Sequence, residues 1–169
     1  MPRPHIYAIA LGSNRRHGRH GAPAGVVAAA VEAMASAGIV VRRVSPTIRT
    51  AALGPAGRGF ANGAAVVETP LDPPALLAVL KGIERRFGRR PGRRWGARVL
   101  DLDIVAWSGG RWPTGPRHAA PHALAVPHRA AHARGFVLTP LLAVAPGWRV
   151  TRAGTVRHAH ARLAKHRPA

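Results

Sequence analysis

The chain has 169 residues, with 26 Lys and Arg against six Asp and Glu, and a formal net charge of +20. A hydrophobic fraction of 47% argues against wholesale disorder, and the lack of cysteine excludes disulfides and thiolate metal sites. No apolar run approaches the roughly 20 residues that span a bilayer, and the N-terminus reaches a polar turn too early for a secretory signal, so we expect a cytoplasmic protein. The charge indicates an anionic partner: nucleic acid, a membrane surface or a phosphorylated small molecule.

The first half of the chain predicts a strand, a helix and two further strands. An apolar run over residues 5–11 ends at a Gly-Ser-Asn turn. Pro23 begins a helix that is expected to end at Ala37, before a glycine stop. Residues 39–50 indicate one bent strand, and residues 64–68 indicate a strand that pairs with it in the antiparallel sense.

The second half predicts a helix, a basic loop and one more strand. The helix follows Asp72 and continues through Arg86. Residues 85–98 hold seven arginines and no acid, which favours a solvated loop, and an apolar strand follows over residues 99–107.

The order of these elements indicates an α+β fold, the ferredoxin-like βαββαβ sandwich with a C-terminal extension. We expect a mixed sheet with helices on one face. One domain is predicted over residues 1–150, and residues 151–169 form a basic C-terminal tail whose composition is compatible with partial disorder.

Asp101 and Asp103 interrupt the last apolar strand and are two of only six acids in the chain. Side chains alternate along a strand, so both carboxylates project to one face. Two like charges so placed need a cation, and hard oxygen ligands suit Mg²⁺ better than zinc. The alternative is a pair of solvated aspartates that discourages aggregation at a sheet edge.

The stretch RWGARVLDLDIV, residues 94–105, resembles the signature of the 6-hydroxymethyl-7,8-dihydropterin pyrophosphokinases of folate biosynthesis. The resemblance extends over about residues 6–150. It includes the segments YAIALGSN, TAALGPAGRGFAN, LLAVLKGIERRFGR and VPHRAAHARGFVLTPLLAVAP. It implies an ATP-dependent diphosphotransferase that moves the terminal diphosphate of ATP to the hydroxymethyl group of the reduced pterin and releases AMP.

The resemblance also implies a role for individual residues. Asp101 and Asp103 would hold two Mg²⁺ ions, and they would act with Arg89 and Arg98 as the catalytic set. The pterin would be bound by Thr50, Leu53, Phe60, Asn62, Trp95 and Phe136. ATP would be bound by Lys81, Glu84, Arg89, Arg98, Ile104, His128 and Arg134. Phosphoryl-type transfer depends on positioning and charge neutralisation, which this set of side chains supplies.

Alternatives remain at several positions. Any one arginine of the loop could be a solvated side chain, Phe60 and Phe136 could be core residues, and Glu84 could be a helical ion-pair partner. The loop is about a residue shorter than in the best-known members, so Arg90, Arg93 or Arg94 could replace Arg89. Ala123 and Ala125 stand where members often have an arginine and a threonine near the nucleotide, and RRHGRHG replaces a turn that often carries an acid.

Two other functions compete with this one. A basic ferredoxin-like protein could bind RNA, although the sequence lacks the aromatic stacking motif of such sheets. A metal site could form from His118, His122, His128 and His132, although two prolines prevent a single helix from aligning them. We expect small-molecule substrates only, no specific nucleic acid, no membrane and a monomer.

Overall fold

The computed structural model describes residues 3–51, 59–88, 99–115, 123–152 and 154–166. The strands are β1 (His5–Ser13), β2 (Val40–Val44), β3 (Ile48–Thr50), β4 (Phe60–Thr69), β5 (Asp101–Trp107), β6 (Arg149–Thr151) and β7 (Gly154–Thr155). The helices are α1 (Pro23–Ser36), α2 (Pro73–Arg86), α3 (Gly135–Val144) and α4 (Val156–Lys165), with a short 3₁₀ turn at Ala131–Ala133.

The two predicted helices have clear local signals at both ends. Pro23 and Pro73 stand in the first turns of α1 and α2, where a missing N–H costs nothing. Asp72 caps α2, since its carboxylate accepts a hydrogen bond from the Ala75 N–H at 3.0 Å. Gly38 follows α1 with φ of 82°, a conformation that other residues adopt only with strain. These signals explain why the bounds match the prediction within a residue.

The main sheet has the order β2-β4-β1-β5, and β3 also pairs with β4. Together with α1 and α2, these strands form the predicted βαββαβ arrangement. Residues 39–50 do form one bent strand, because β2 and β3 lie in succession along β4. The expectation of a mixed sheet was wrong: all the pairings in the described part of the sheet are antiparallel.

Helices cover both faces of the sheet, which corrects the prediction that they share one face. Tyr7, Ile9 and Leu102 face α1 and α2 in one apolar cluster. Ala8 and Ala64 lie in a second cluster, which also contains residues of α3 and α4. The alternation of β1 between the two clusters is the period of two expected for a strand that is buried on both faces.

The segment after Thr151 contains more structure than its basic composition indicates. Helix α4 begins with a capping box, in which Thr155 and His158 bond to each other's backbone N–H groups. Val156 and Ala159 are buried in the second cluster. The division of the chain at residue 150 stays a prediction. Within the described residues, no helix is both long and apolar enough to cross a membrane.

Candidate active site

One end of the sheet face beneath α3 is lined by small side chains. Across β4, β1 and β5, Asn62, Gly12 and Asp101 lie opposite one another in register. The next rung on the same face consists of Ala64, Ala10 and Asp103. Directly paired residues of antiparallel strands project to the same face. The fold therefore brings Asp101, Asp103 and Asn62 together on one surface.

 In the sequence, 38 residues lie between Asn62 and Asp101, and the pairing of β4 and β5 with β1 brings the two side chains together.

Gly12 lies at the centre of this surface, between Asn62 and Asp101, and contributes no side chain to it. A Cβ atom at this position would lie 3.3 Å from Oδ1 of Asn62, which is tighter than an ordinary van der Waals contact. Asn62 is itself buried, and its Nδ2 donates a hydrogen bond to Oγ1 of Thr50 at 2.9 Å. Thr50 pairs with Phe60 on the neighbouring strand. Sequence reasoning gave Gly12 only a turn role, and the strand register is the signal that shows its place in the site.

The electrostatics of the site are dominated by two neighbouring carboxylates, Asp101 and Asp103. Burial raises the pKa of the Asp103 carboxyl, and the charge of Asp101 raises it further. Coulombic interactions with the nearby His128, Lys81 and Arg134 lower the same pKa and only partly offset the increase. A surface that holds two carboxylates under these conditions favours a bound cation.

The donor set of this surface fits Mg²⁺. Among the described residues, no group of three or more His, Cys, Asp or Glu side chains could hold a metal ion. Mg²⁺ is commonly bound by one or two carboxylates and completes its octahedral shell with water and substrate phosphates, whereas protein zinc sites use three or four side chains. The alternative histidine metal site gains no support from His128 and His132, and His118 and His122 lie outside the described residues.

The outer edge of β5 is covered by two side chains of α2. Oε1 of Glu84 accepts a hydrogen bond from the Leu102 N–H at 2.7 Å. Nζ of Lys81 lies 2.7 Å from the same Oε1 and donates to the Leu102 carbonyl at 3.3 Å. Glu84 is buried, while the Lys81 side chain is 33% exposed. Both predicted nucleotide-side residues therefore contact the backbone between Asp101 and Asp103.

His128 and Arg134 approach the site from the segment that precedes α3. The His128 N–H donates to the Val105 carbonyl at 2.9 Å, which fixes the segment to β5. Nδ1 of His128 accepts from the Ala130 N–H at 3.2 Å, so a neutral ring carries its proton on Nε2. The Arg134 guanidinium lies 5.9 Å from the centre of the Phe136 ring. Phe136 is 36% exposed, so it is available to a ligand and is not a core residue.

The remaining predicted site residues have different outcomes. Ile104 is buried in the cluster that faces α1 and α2, so its side chain is not open to a ligand. Leu53, Arg89, Trp95 and Arg98 lie outside the part of the chain that the structure describes. A cavity of about 500 Å³ adjoins His128 and is lined by Arg111, Arg129 and Arg152 among others, but by neither aspartate.

Comparison with known proteins gives a consistent assignment. Residues 8–146 match the family model of 7,8-dihydro-6-hydroxymethylpterin-pyrophosphokinase, abbreviated HPPK. The chain belongs to the HPPK family. A relative from Methylorubrum extorquens, named 2-amino-4-hydroxy-6-hydroxymethyldihydropteridine pyrophosphokinase, is 38% identical over 157 residues, which cover 92% of this chain and 91% of the relative. A Synechocystis relative of the same name is 39% identical over 118 residues, which cover 70% of this chain and 57% of the relative.

A solved HPPK structure confirms the fold. The chain matches an HPPK-DHPS protein, described as in complex with substrates, with a TM-score of 0.72 and 12% identity. The match covers 98% of this chain and 45% of that one, so the chain spans less than half of the longer protein. The family prediction and the ferredoxin-like fold are both confirmed, whereas the RNA-binding alternative finds no support among these HPPK matches.

Proposed function

We propose that the chain transfers a diphosphate from ATP to the hydroxymethyl group of 6-hydroxymethyl-7,8-dihydropterin and releases AMP, as a step in folate biosynthesis. The observation that carries the proposal is the common face of Asp101, Asp103 and Asn62 in a member of the HPPK family. The two carboxylates belong to the phosphate half of the reaction, and the amide belongs to the pterin half. Gly12 separates the two halves and leaves room for the reacting groups.

Asp101 and Asp103 are the residues that would hold two Mg²⁺ ions. Bound at these carboxylates, the ions would neutralise charge on the triphosphate. The contribution of the chain is a rigid platform, because both aspartates lie on a strand whose inner side pairs with β1. The rigidity keeps the carboxylate separation fixed before the substrates arrive.

Asn62, Thr50 and the two phenylalanines form the proposed pterin side. The hydrogen bond from Asn62 Nδ2 to Thr50 sets the orientation of the amide. The amide then presents fixed polar atoms to the amide-like edge of the pterin, and a ring that could not pair with them would be rejected. Phe60 and Phe136 supply flat apolar surfaces for the heterocycle. Leu53 and Trp95 complete this set by resemblance.

His128 and Arg134 form the proposed phosphate side, together with Arg89 and Arg98. The Nε2–H of His128 can donate to a phosphate oxygen, because Nδ1 is occupied by the Ala130 N–H. Both His128 and Arg134 act electrostatically on Asp103, which supports a role for these two side chains near the triphosphate. Lys81 and Glu84 adjoin the same strand from its outer edge.

The transfer itself is a substitution at phosphorus. The hydroxymethyl oxygen of the pterin forms a bond to the β-phosphorus of ATP. The bond from that phosphorus to the oxygen that bridges it to the α-phosphorus breaks, its electron pair leaves with AMP, and the hydroxyl proton is released. The protein holds the two reactants in line and keeps cationic groups near the phosphates, which are the main requirements of this chemistry.

A direct assay tests the proposal. Purified protein given ATP, Mg²⁺ and 6-hydroxymethyl-7,8-dihydropterin should yield AMP and the pterin diphosphate in equal amounts, as measured by chromatography. Omission of the pterin provides the control, in which no AMP should form. If folded protein forms no AMP at saturating substrate concentrations, the proposed function is wrong. The monomeric state remains a prediction, and light scattering of the same sample tests it.

A further inference from the structure

The contact between α2 and the outer edge of β5 has a mechanical consequence for the site. We call the group formed by Lys81, Glu84 and the Leu102 backbone the edge clamp. Its three polar contacts measure 2.7 Å from the Leu102 N–H to Glu84, 2.7 Å from Lys81 to Glu84 and 3.3 Å from Lys81 to the Leu102 carbonyl. The clamp thus satisfies both backbone groups of one residue in a strand at the end of the sheet order.

The chemistry of the edge clamp explains why an acid is buried here. An edge strand has backbone groups without a partner strand, and a buried polar group without a hydrogen bond is costly. A buried carboxylate is also costly unless it is paired and hydrogen-bonded. Glu84 has both kinds of partner, since it accepts from the Leu102 N–H and from the Lys81 ammonium. The two side chains and the strand therefore stabilise one another as a unit.

The position of the clamp links it to the two aspartates. Leu102 lies between Asp101 and Asp103, and its side chain faces α2 in the apolar cluster. On the inner side, Gly12 and Ala10 of β1 pair with the two aspartates. The strand is consequently held from both sides at the residues where two like charges repel each other. A small movement of the Leu102 peptide would move both carboxylates.

We propose that Glu84, supported by Lys81, is a positioning residue that sets the geometry of Asp101 and Asp103 through the Leu102 backbone. The inference deepens the proposed function and rests on it. It assigns Glu84 a role different from direct contact with the nucleotide, which is the role implied by the family resemblance. Replacement of a residue that orients metal ligands without touching the metal typically lowers metal affinity or activity by about 10–100-fold.

The test compares four variants in the full-length protein. Glu84→Ala removes the acceptor, Glu84→Gln keeps an oxygen of similar shape without the charge, and Lys81→Met removes the ammonium. Glu32→Gln is the matched control, because Glu32 is an exposed acid of α1. For each variant we would measure the hydrogen exchange rate of the Leu102 amide, the affinity for Mn²⁺ in the presence of a non-hydrolysable ATP analogue, and kcat and KM for ATP.

The expected pattern separates positioning from nucleotide binding. In Glu84→Ala, the Leu102 amide should exchange faster, Mn²⁺ affinity and kcat should each fall by about 10–100-fold, and KM for ATP should change by less than about threefold. Glu84→Gln should retain most of the amide protection and recover part of the kcat. The control should match the wild type in all measurements.

Two results would overturn the inference. One is a rise in KM for ATP with unchanged kcat and unchanged Leu102 exchange, which is the behaviour of a direct nucleotide ligand. The other is normal Mn²⁺ affinity in a variant whose Leu102 amide has lost protection. If Glu84→Ala does not fold, Lys81→Met gives the comparison, because it removes the contacts of the ammonium with Glu84 and with the Leu102 carbonyl and should likewise lower Mn²⁺ affinity and kcat. Leu102 exchange and Mn²⁺ binding do not require turnover, so failure of the AMP assay and failure of the clamp are distinguishable.

Discussion

At the scale of single residues, the site combines a functional need with a cost in stability. The Asp103 carboxyl is partly buried beside a second carboxylate, and both effects raise its pKa. A raised pKa in the folded state means that the folded protein binds this proton more tightly than the unfolded chain does. The ionised carboxylate therefore destabilises the fold above the raised pKa, and the effect is lost as the pH falls through it.

Asp103→Asn should consequently separate activity from stability. In the absence of Mg²⁺ at about pH 7.5, the variant should melt about 2–4 °C above the wild type, because it lacks the partly buried charge. The difference should shrink in acid, where Asp103 of the wild type becomes protonated. Product formation should fall by about 100-fold, because a predicted metal ligand is lost.

Thermal melts across pH and the AMP assay check both parts of this prediction, with Glu32→Gln as an exposed acid control. Equal activity in the variant and the wild type would contradict the metal role of Asp103. A lower melting temperature at neutral pH would contradict the electrostatic explanation.

At the scale of secondary structure, local signals decided which elements could be predicted. Helices α1 and α2 carry proline in the first turn and glycine after the end, and α2 presents Leu76, Leu80 and Ile83 at helical spacing. Helix α3 is apolar on nearly every side and contains Pro140, so its sequence lacks both a helical period and a clean helix signal. These features explain why no helix was predicted there.

The same contrast holds within the site. The alternation of a strand was enough to place Asp101 and Asp103 on one face. The contact of Glu84 with Leu102 depends on how α2 packs along the edge of β5, and the position of Gly12 depends on the register of three strands. Neither relation has a local sequence signal, since each joins residues from different elements.

Helix α4 lies in a basic segment that was expected to be a tail, and removing the helix tests whether it stabilises the fold. Val156 and Ala159 are buried against the second cluster, so a chain that ends at residue 155 should lose their apolar contacts. We expect a loss of about 3 kcal/mol in the free energy of unfolding and a fall of about 6–12 °C in Tm. Arg157→Gln is the matched control, because it removes one exposed charge of α4 and retains the buried face. An unchanged Tm in the shortened chain would show that residues 156–169 form a tail independent of the fold.

At the scale of the whole molecule, the charge of +20 has a focused part and a diffuse part. Only six acids are available to 26 Lys and Arg residues, and two of the acids pair with Arg42 and Lys81. The focused part lies in the arginines of residues 85–98 and in the cationic groups near Asp103. The diffuse part includes α4, whose arginines and Lys165 lie far along the chain from the proposed catalytic residues.

The diffuse charge should attract single-stranded RNA without sequence preference, as a physical by-product and not as a function. Binding should weaken by about 100-fold or more between roughly 50 and 200 mM salt, because each phosphate contact releases counterions. Arg157→Glu combined with Arg162→Glu should weaken RNA binding and leave kcat for AMP formation unchanged. Asp103→Asn should instead lower turnover by about 100-fold and leave RNA binding intact. Fluorescence anisotropy with two unrelated oligonucleotides would measure the first effect. A strong preference for one oligonucleotide at high salt would contradict the division of the charge, because diffuse electrostatic attraction carries no sequence information.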